Sequence, residues 1–107
     1  MDEYVRFINK NTELFSTQDP DVLLEEILNY AETQGYKDYK VSKDKYKIKL
    51  PVVTKVGEYT EMTIEILKAD QNKVCIDFTR AGGDTLPFYN EFNLIKEYLG
   101  ELIDTTY

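Results

Sequence analysis

The sequence contains no histidine and no tryptophan, and it has a single cysteine. Without histidine the chain lacks the commonest general base at neutral pH and the commonest zinc ligand, so no catalytic residues and no metal or other cofactor are expected. Cys75 cannot form an intrachain disulfide, and a packed thiol in a reducing, intracellular setting, cytoplasmic or nuclear, is the expectation. No apolar run approaches the roughly 20 residues of a membrane-spanning helix. No basic stretch followed by an apolar one reads as a signal peptide. Neighbouring carboxylates such as Glu25 and Glu26 diverge on a helix and read as solvated surface, and Asp70-Gln71-Asn72 lacks the further spaced ligands of a calcium loop.

What is present suits one domain spanning 1–107, with its core over about 13–104 and residues 1–12 expected to be poorly ordered. The chain has 107 residues, 42% of them hydrophobic and 13% aromatic, enough for one core without staples. Its net charge of −7 repels a phosphate backbone over most of the surface, so nucleic acid is not an expected partner. The charge is unevenly placed. Residues 1–36 carry two basic and eight acidic side chains, 37–55 seven and two, and 56–107 four and ten, so a +5 segment lies between flanks of −6. That segment is the feature able to serve an anionic partner.

Along the chain, Thr12 to Thr17 reads as a short edge strand with Leu14 or Phe15 inward. A helix follows: Asp19 caps it, Pro20 takes its first position and Gly35 supplies the left-handed exit. Leu23, Leu24, Ile27, Leu28 and Ala31 form its apolar face. The period then changes to two, weakly over Tyr36 to Val41 and plainly over Lys45 to Val52, where Tyr46, Ile48, Leu50 and Val52 face one way and Lys45, Lys47 and Lys49 the other. After a turn at Lys55-Val56-Gly57-Glu58, Tyr59 to Lys68 turns Met62, Ile64 and Ile66 inward. A turn at Asp70-Gln71-Asn72 leads to a last strand with Val74, Ile76 and Phe78 inward. Gly82-Gly83 makes a tight turn or, less simply, a phosphate cradle; Asp84 or Thr85 then caps a helix whose apolar face is Phe88, Phe92, Ile95, Leu99 and Leu102, widened by Leu86, Tyr98 and Ile103. The pattern predicts an α+β fold: a four- or five-stranded antiparallel sheet with two amphipathic helices packed on one face. With both helical stripes covering the sheet, a monomer is expected.

The lysine row supports two readings. Lys43, Lys45, Lys47 and Lys49, with Lys37, Lys40 and Arg80 nearby, could form a basic surface for anionic lipid headgroups or an acidic partner. Alternatively Glu61 and Glu65, outward on the next strand, neutralise them across the ladder. With no tryptophan and no apolar wedge beside the lysines, the lipid reading is peripheral docking without deep insertion.

The stretch Val74-Cys75-Ile76-Asp77-Phe78-Thr79-Arg80-Ala81-Gly82-Gly83-Asp84-Thr85-Leu86-Pro87-Phe88 resembles the signature of the kinase-associated domain 1 family. There, a strand ending in Asp-Phe-x-Arg/Lys meets a Gly-Asp turn and a helix beginning Leu-x-Phe. Phe15-Ser16-Thr17 before Pro20, Gly35-Tyr36, and Tyr46-Lys47-Ile48-Lys49 are similar to further family pieces in the same order. The resemblance covers nearly the whole chain from about residue 13, including the tail Leu99-Gly100-Glu101-Leu102-Ile103-Asp104. The wording is most similar to the C-terminal domains of checkpoint kinases and plant calcineurin-B-like-interacting kinases, in which an acidic residue usually stands where this chain has Pro87. The resemblance implies a non-catalytic C-terminal regulatory module of a serine/threonine protein kinase. Such a module acts by autoinhibitory contact with the kinase domain of the same chain, by binding a regulatory protein, or in other branches by docking on anionic phospholipid. Asp77, Arg80 and Asp84 are the candidates for the kinase or partner contact, with a helix cap at Asp84 and a cross-strand Asp77–Arg80 pair as the structural alternatives. Lys43, Lys45, Lys47, Lys49 and Arg80 are the candidates for anionic lipid. The catalytic elements of a kinase are absent from this sequence.

Overall fold

The computed structural model describes residues 12–104. Element order is β1 (Glu13–Ser16), α1 (Pro20–Thr33), β2 (Lys40–Ser42), a 3-10 turn (Lys43–Lys45), β3 (Lys47–Val53), β4 (Tyr59–Asp70), β5 (Lys73–Gly83), α2 (Thr85–Leu99) and a final 3-10 turn (Gly100–Leu102). The five strands form one antiparallel sheet in the order β1-β5-β4-β3-β2. Strands β2 to β5 are a meander joined by short turns, while β1 and β2 occupy opposite edges, so α1 carries the chain from one edge to the other. The fold is α+β as the periodicity predicts, with five strands. The expectation for residues 1–11 lies outside the described residues; Thr12 is buried and exchanges hydrogen bonds with Phe78, its Oγ1 donating to the Phe78 carbonyl at 2.9 Å and its own carbonyl accepting from the Phe78 N–H at 3.0 Å.

Helix α1 begins and ends where its punctuation places it. The Asp19 carboxylate accepts from the Asp21 N–H at 2.8 Å, and Pro20 occupies the first turn, where a missing N–H costs nothing. At the other end the Gly35 N–H bonds the Glu32 carbonyl and the Tyr36 N–H reaches back to Ala31, both at 3.0 Å, with Gly35 at φ +80°. That is the Schellman arrangement, which satisfies two carbonyls the helix leaves open. The buried face is Leu23, Leu24, Ile27, Tyr30 and Ala31. Leu28 is only partly buried, and Tyr30 joins the face instead.

The core lies between the sheet's inner face and the helices. Ile48, Leu50 and Val52 of β3, Met62, Ile64 and Ile66 of β4, Val74, Ile76 and Phe78 of β5, and Leu14 of β1 meet Phe88, Phe92, Ile95 and Leu99 of α2. Leu14 is the inward residue of β1, and Phe15 faces the other side. Phe78 packs edge-on to Phe92 with ring centroids 4.9 Å apart. Helix α2 ends earlier than its apolar pattern suggests, because Gly100 at φ +48° breaks the helical path. Leu102 and Ile103 still pack on the core from the following turn, held where Ser16 Oγ donates to the Leu102 carbonyl and the Asp104 N–H bonds Phe15 O at 2.7 Å. Leu86 and Tyr98 do not widen the buried stripe. They are 64% and 40% exposed, and Pro87 and Glu91 are buried in their place.

Candidate anion-binding surface

The sheet's outer face, away from the helices, carries the basic segment. Its lysines do not form one row. Lys43 and Lys45 sit in the 3-10 turn, and Tyr46 takes a left-handed conformation at φ +51° that resets the chain before β3. From there the two-residue period puts Lys47 and Lys49 opposite in direction to buried Ile48 and Leu50.

Register decides what surrounds them. Ile66 N–H bonds the Tyr46 carbonyl at 2.9 Å, so Tyr46, Ile48, Leu50 and Val52 aim their backbone groups at β4, and Lys47 and Lys49 aim theirs at β2. Pro51, on the same side as Lys49, lies beyond the end of β2, where its missing N–H forfeits no ladder bond. Lys40 therefore stands directly opposite Lys49 in a hydrogen-bonded pair, with Cα atoms about 5.5 Å apart, and Ser42 stands opposite Lys47. Lys40, Lys45, Lys47 and Lys49 line a hollow of about 300 Å³ with Val41 and Ser42. An adjoining hollow of about 360 Å³ shares Lys40 and Lys49 and adds Asp38, Pro51, Glu61, Thr63 and Ala81.

Neutralisation from β4 is partial. Lys47 lies opposite Glu65, their charged atoms 4.0 Å apart, but Glu61 lies opposite Pro51 and Lys49 opposite Thr63. Lys40, Lys45 and Lys49 make no ion pair among the described residues. Like charges directly opposed across a ladder are destabilising by about 0.2–1 kcal/mol. Lys40→Glu, which turns that repulsion into attraction, is expected to raise the unfolding free energy by a few tenths to about 1 kcal/mol in urea melts. Unchanged or lowered stability would show that the two ammonium groups diverge into water.

Lys43 is in the turn but does not line the hollow, whereas Lys40, which the sequence shows only as a neighbour, is central to it. Arg80 is not on this surface: it pairs with core-facing Met62, in phase with Phe78, and its Nη1 donates to the Gly83 carbonyl at 2.7 Å. Asp77 and Arg80 lie on one strand in opposite phase, so they are not a cross-strand pair. Asp77 stands between Glu13 and Glu65 in the ladder and accepts from Thr79 Oγ1 at 3.2 Å. Asp84 occupies the cap position of α2, yet its carboxylate makes no bond to the helix. It accepts instead from the Tyr59 N–H at 3.4 Å, while its own N–H bonds Tyr59 O at 2.7 Å. Arg80 and Asp84 thus share the β5–α2 corner, and Asp77 is in mid-strand. Gly82-Gly83 belongs to the end of β5, where Asp84 holds the corner to β4, so its role is the turn and not a phosphate cradle.

One charged residue has no counterpart in the sequence reading. Glu91, 4% exposed, lies on the buried side of α2 and accepts from the hydroxyls of Tyr30 and, at 2.6 Å, Tyr36. Burial, and then the hydrogen bonds to the carboxylate, push both phenols well above the ordinary tyrosine range. The signal was available: Glu91 falls three after Phe88 and four before Ile95, on the apolar stripe. Among the described residues no group of three or more histidine, cysteine, aspartate or glutamate side chains is placed to hold a metal, and no helix is long and apolar enough to cross a membrane.

No protein-family model and no curated protein sequence matches the chain. Solved structures do. A chain of the adenylate sensor from AMP-activated protein kinase, complexed with ATP, superposes with a TM-score of 0.71 over 88% of this chain and 100% of that one, at 13% identity. The same sensor complexed with the ribofuranotide ZMP gives 0.65 over 80% and 92%, at 15% identity. The fold is shared with these sensor chains. At these identities the likeness concerns the path of the backbone, and the nucleotides belong to those complexes. The fold places the lysine hollows on the open side of the sheet, where the two helices leave the strands uncovered.

Proposed function

We propose that this domain is a non-catalytic regulatory module of a serine/threonine protein kinase, of the kinase-associated domain 1 type. It works inside the cell by contact with the kinase domain of the same chain or with a regulatory protein. The observation that carries this reading is the shared backbone with the adenylate-sensor chain over 88% of the sequence. The ordered motifs from Phe15 to Phe88 support it independently. The contact surface is the outer face of β2 and β3. It presents Lys40, Lys45 and Lys49 without ion pairs among the described residues, beside a hollow bordered by Asp38 and Glu61.

The unpaired lysines also fit the alternative, docking on anionic phospholipid. The rest of the face favours protein. Asp38, Glu61 and Glu65 share it with the lysines, the chain as a whole is at −7, and Arg80 lies on the other side of the sheet. A planar anionic bilayer would meet both signs at once, whereas a protein can match a mosaic. Calorimetric titration of the kinase catalytic domain with this chain tests the reading. Saturable one-to-one binding, weakened by Lys40→Ala together with Lys49→Ala, is expected. Absence of binding, with salt-sensitive uptake by phosphatidylserine vesicles, would replace it with the membrane alternative.

A further inference from the structure

We propose that the hollow bounded by Lys40, Lys45 and Lys49 receives a phosphorylated side chain of a protein partner, with the residues flanking that phosphate lying across the adjoining hollow. The inference rests on the reading of the domain as a protein-contacting regulatory module and names the chemistry of what it contacts.

Charge and shape point to a compact dianion. A phosphorylated serine or threonine carries about −1.5 to −2 charges on three strong acceptor oxygens. Lysines bind phosphate as point charges on flexible stems. Here they come from three separate pieces of chain, the edge strand, the 3-10 turn and β3, and they converge on one concavity of about 300 Å³. The Ser42 side chain lines the same hollow and adds a hydroxyl donor. A phosphate placed between Lys40 and Lys49 would convert their mutual repulsion into two attractions, which gives a physical reason for a pairing that the sheet by itself disfavours.

The neighbouring hollow supplies direction. It continues from the Lys40–Lys49 pair toward Pro51 and Ala81, small surfaces that leave room for a backbone, and it is bordered by Asp38 and Glu61. Those carboxylates match a basic residue close to the phosphorylated one. A segment with both signs satisfies the whole face. An anionic bilayer carries a net negative surface charge and would be repelled by the acidic half.

The test is a nuclear magnetic resonance titration of the full 107-residue chain. The probes are the peptide Ala-Arg-Ala-phosphoserine-Ala, its unphosphorylated twin, and phosphatidylcholine vesicles containing one-fifth phosphatidylserine. The phosphopeptide is expected to move the amides of residues 40–49 and to leave α1 and α2 still, with the twin without effect. Lys49→Ala should weaken the phosphopeptide about tenfold or more, the size of a lost charge-assisted hydrogen bond. Lys40→Ala should do the same, and circular dichroism should show both variants folded, since each removes a repulsion. Equal shifts from both peptides, indifference to both substitutions, or binding to vesicles alone would each overturn the proposal. The regulatory reading fails separately. Phosphopeptide binding without any effect on a kinase domain would sink that reading and leave the phosphate site standing. A kinase contact indifferent to Lys40→Ala and Lys49→Ala, with no phosphopeptide binding, would do the reverse.

Discussion

Gly83→Ala is expected to cost the domain about 3 kcal/mol or more. Gly83 closes β5 at φ +79°, where a residue with a β-carbon is disfavoured by roughly 1–2 kcal/mol. Strain is the smaller part. An added β-carbon would sit 2.7 Å from Thr60 Cα and closer still to the Tyr59 carbonyl oxygen. Both are backbone atoms of the adjacent strand, so no side chain can swing aside. Relief requires β4 and β5 to part, and overpacking of this kind costs about 1–3 kcal/mol. Parting them also breaks the Asp84 N–H bond to Tyr59 that sets the angle at which α2 leaves the sheet. Gly82→Ala is the control. Its β-carbon would meet only Glu61 Oε2, at 3.5 Å, the end of a flexible side chain, so a change near zero is expected. Urea melts of the two variants check the pair; equal losses would show that the corner can relax.

The second large effect is at Glu91. Glu91→Ala would leave the hydroxyls of Tyr30 and Tyr36 facing a cavity between the helices, and an unsatisfied buried donor costs about 1–3 kcal/mol. The total is expected near 3 kcal/mol. Glu91→Gln, which keeps the shape and one acceptor, should lose about 1 kcal/mol. Alkaline pH gives an independent reading of the same network. Both phenols hold their protons more tightly folded than unfolded, so the folded state binds more protons above the unfolded tyrosine pKa of about 10. Their contribution to stability is therefore complete below that pH and falls as pH rises beyond it. A melt series from neutral to alkaline pH should show this decline in the native protein, and a weaker one in Tyr30→Phe with Tyr36→Phe. If the double variant declines as steeply, other groups govern the alkaline limit.

Sequence patterning carried most of the fold because each element states its period and its ends. Asp19-Pro20 and Gly35 bracket α1, and alternation in β3, β4 and β5 chooses the inner face residue by residue. Where the pattern misled, a local event outside the period was responsible. The alternation from Lys45 to Val52 reads as one strand, yet Lys45 belongs to the 3-10 turn and a left-handed Tyr46 separates it from β3. The apolar spacing continues past Leu99, but Gly100 ends α2. Side-chain neighbours depend on register, which a single strand does not contain: that Lys40 faces Lys49, and Glu61 faces Pro51, follows from how β2 and β4 align on β3. Arg80 is a different case: two residues after inward-facing Phe78, it shares that phase, so the alternation of β5 alone already sets it away from the lysine face. Glu91 is hidden in the sequence by its charge. Its position lies on the buried stripe, and only the two tyrosines, 61 and 55 residues earlier, explain how a carboxylate sits there.

If the Lys40–Lys49 juxtaposition is retained for binding, stability and function should move in opposite directions at these positions, with Lys40→Glu tightening the fold while weakening any anionic contact. The most direct measurement of regulation is the rate of substrate phosphorylation by the kinase catalytic domain, titrated in trans with this chain and with its Lys40→Ala, Lys49→Ala and Arg80→Ala variants. A saturable change in rate with the native chain, reduced by the two lysine substitutions and kept in Arg80→Ala, whose side chain lies off that face, is the result expected. A rate that stays flat up to saturating concentrations of folded chain would contradict the account.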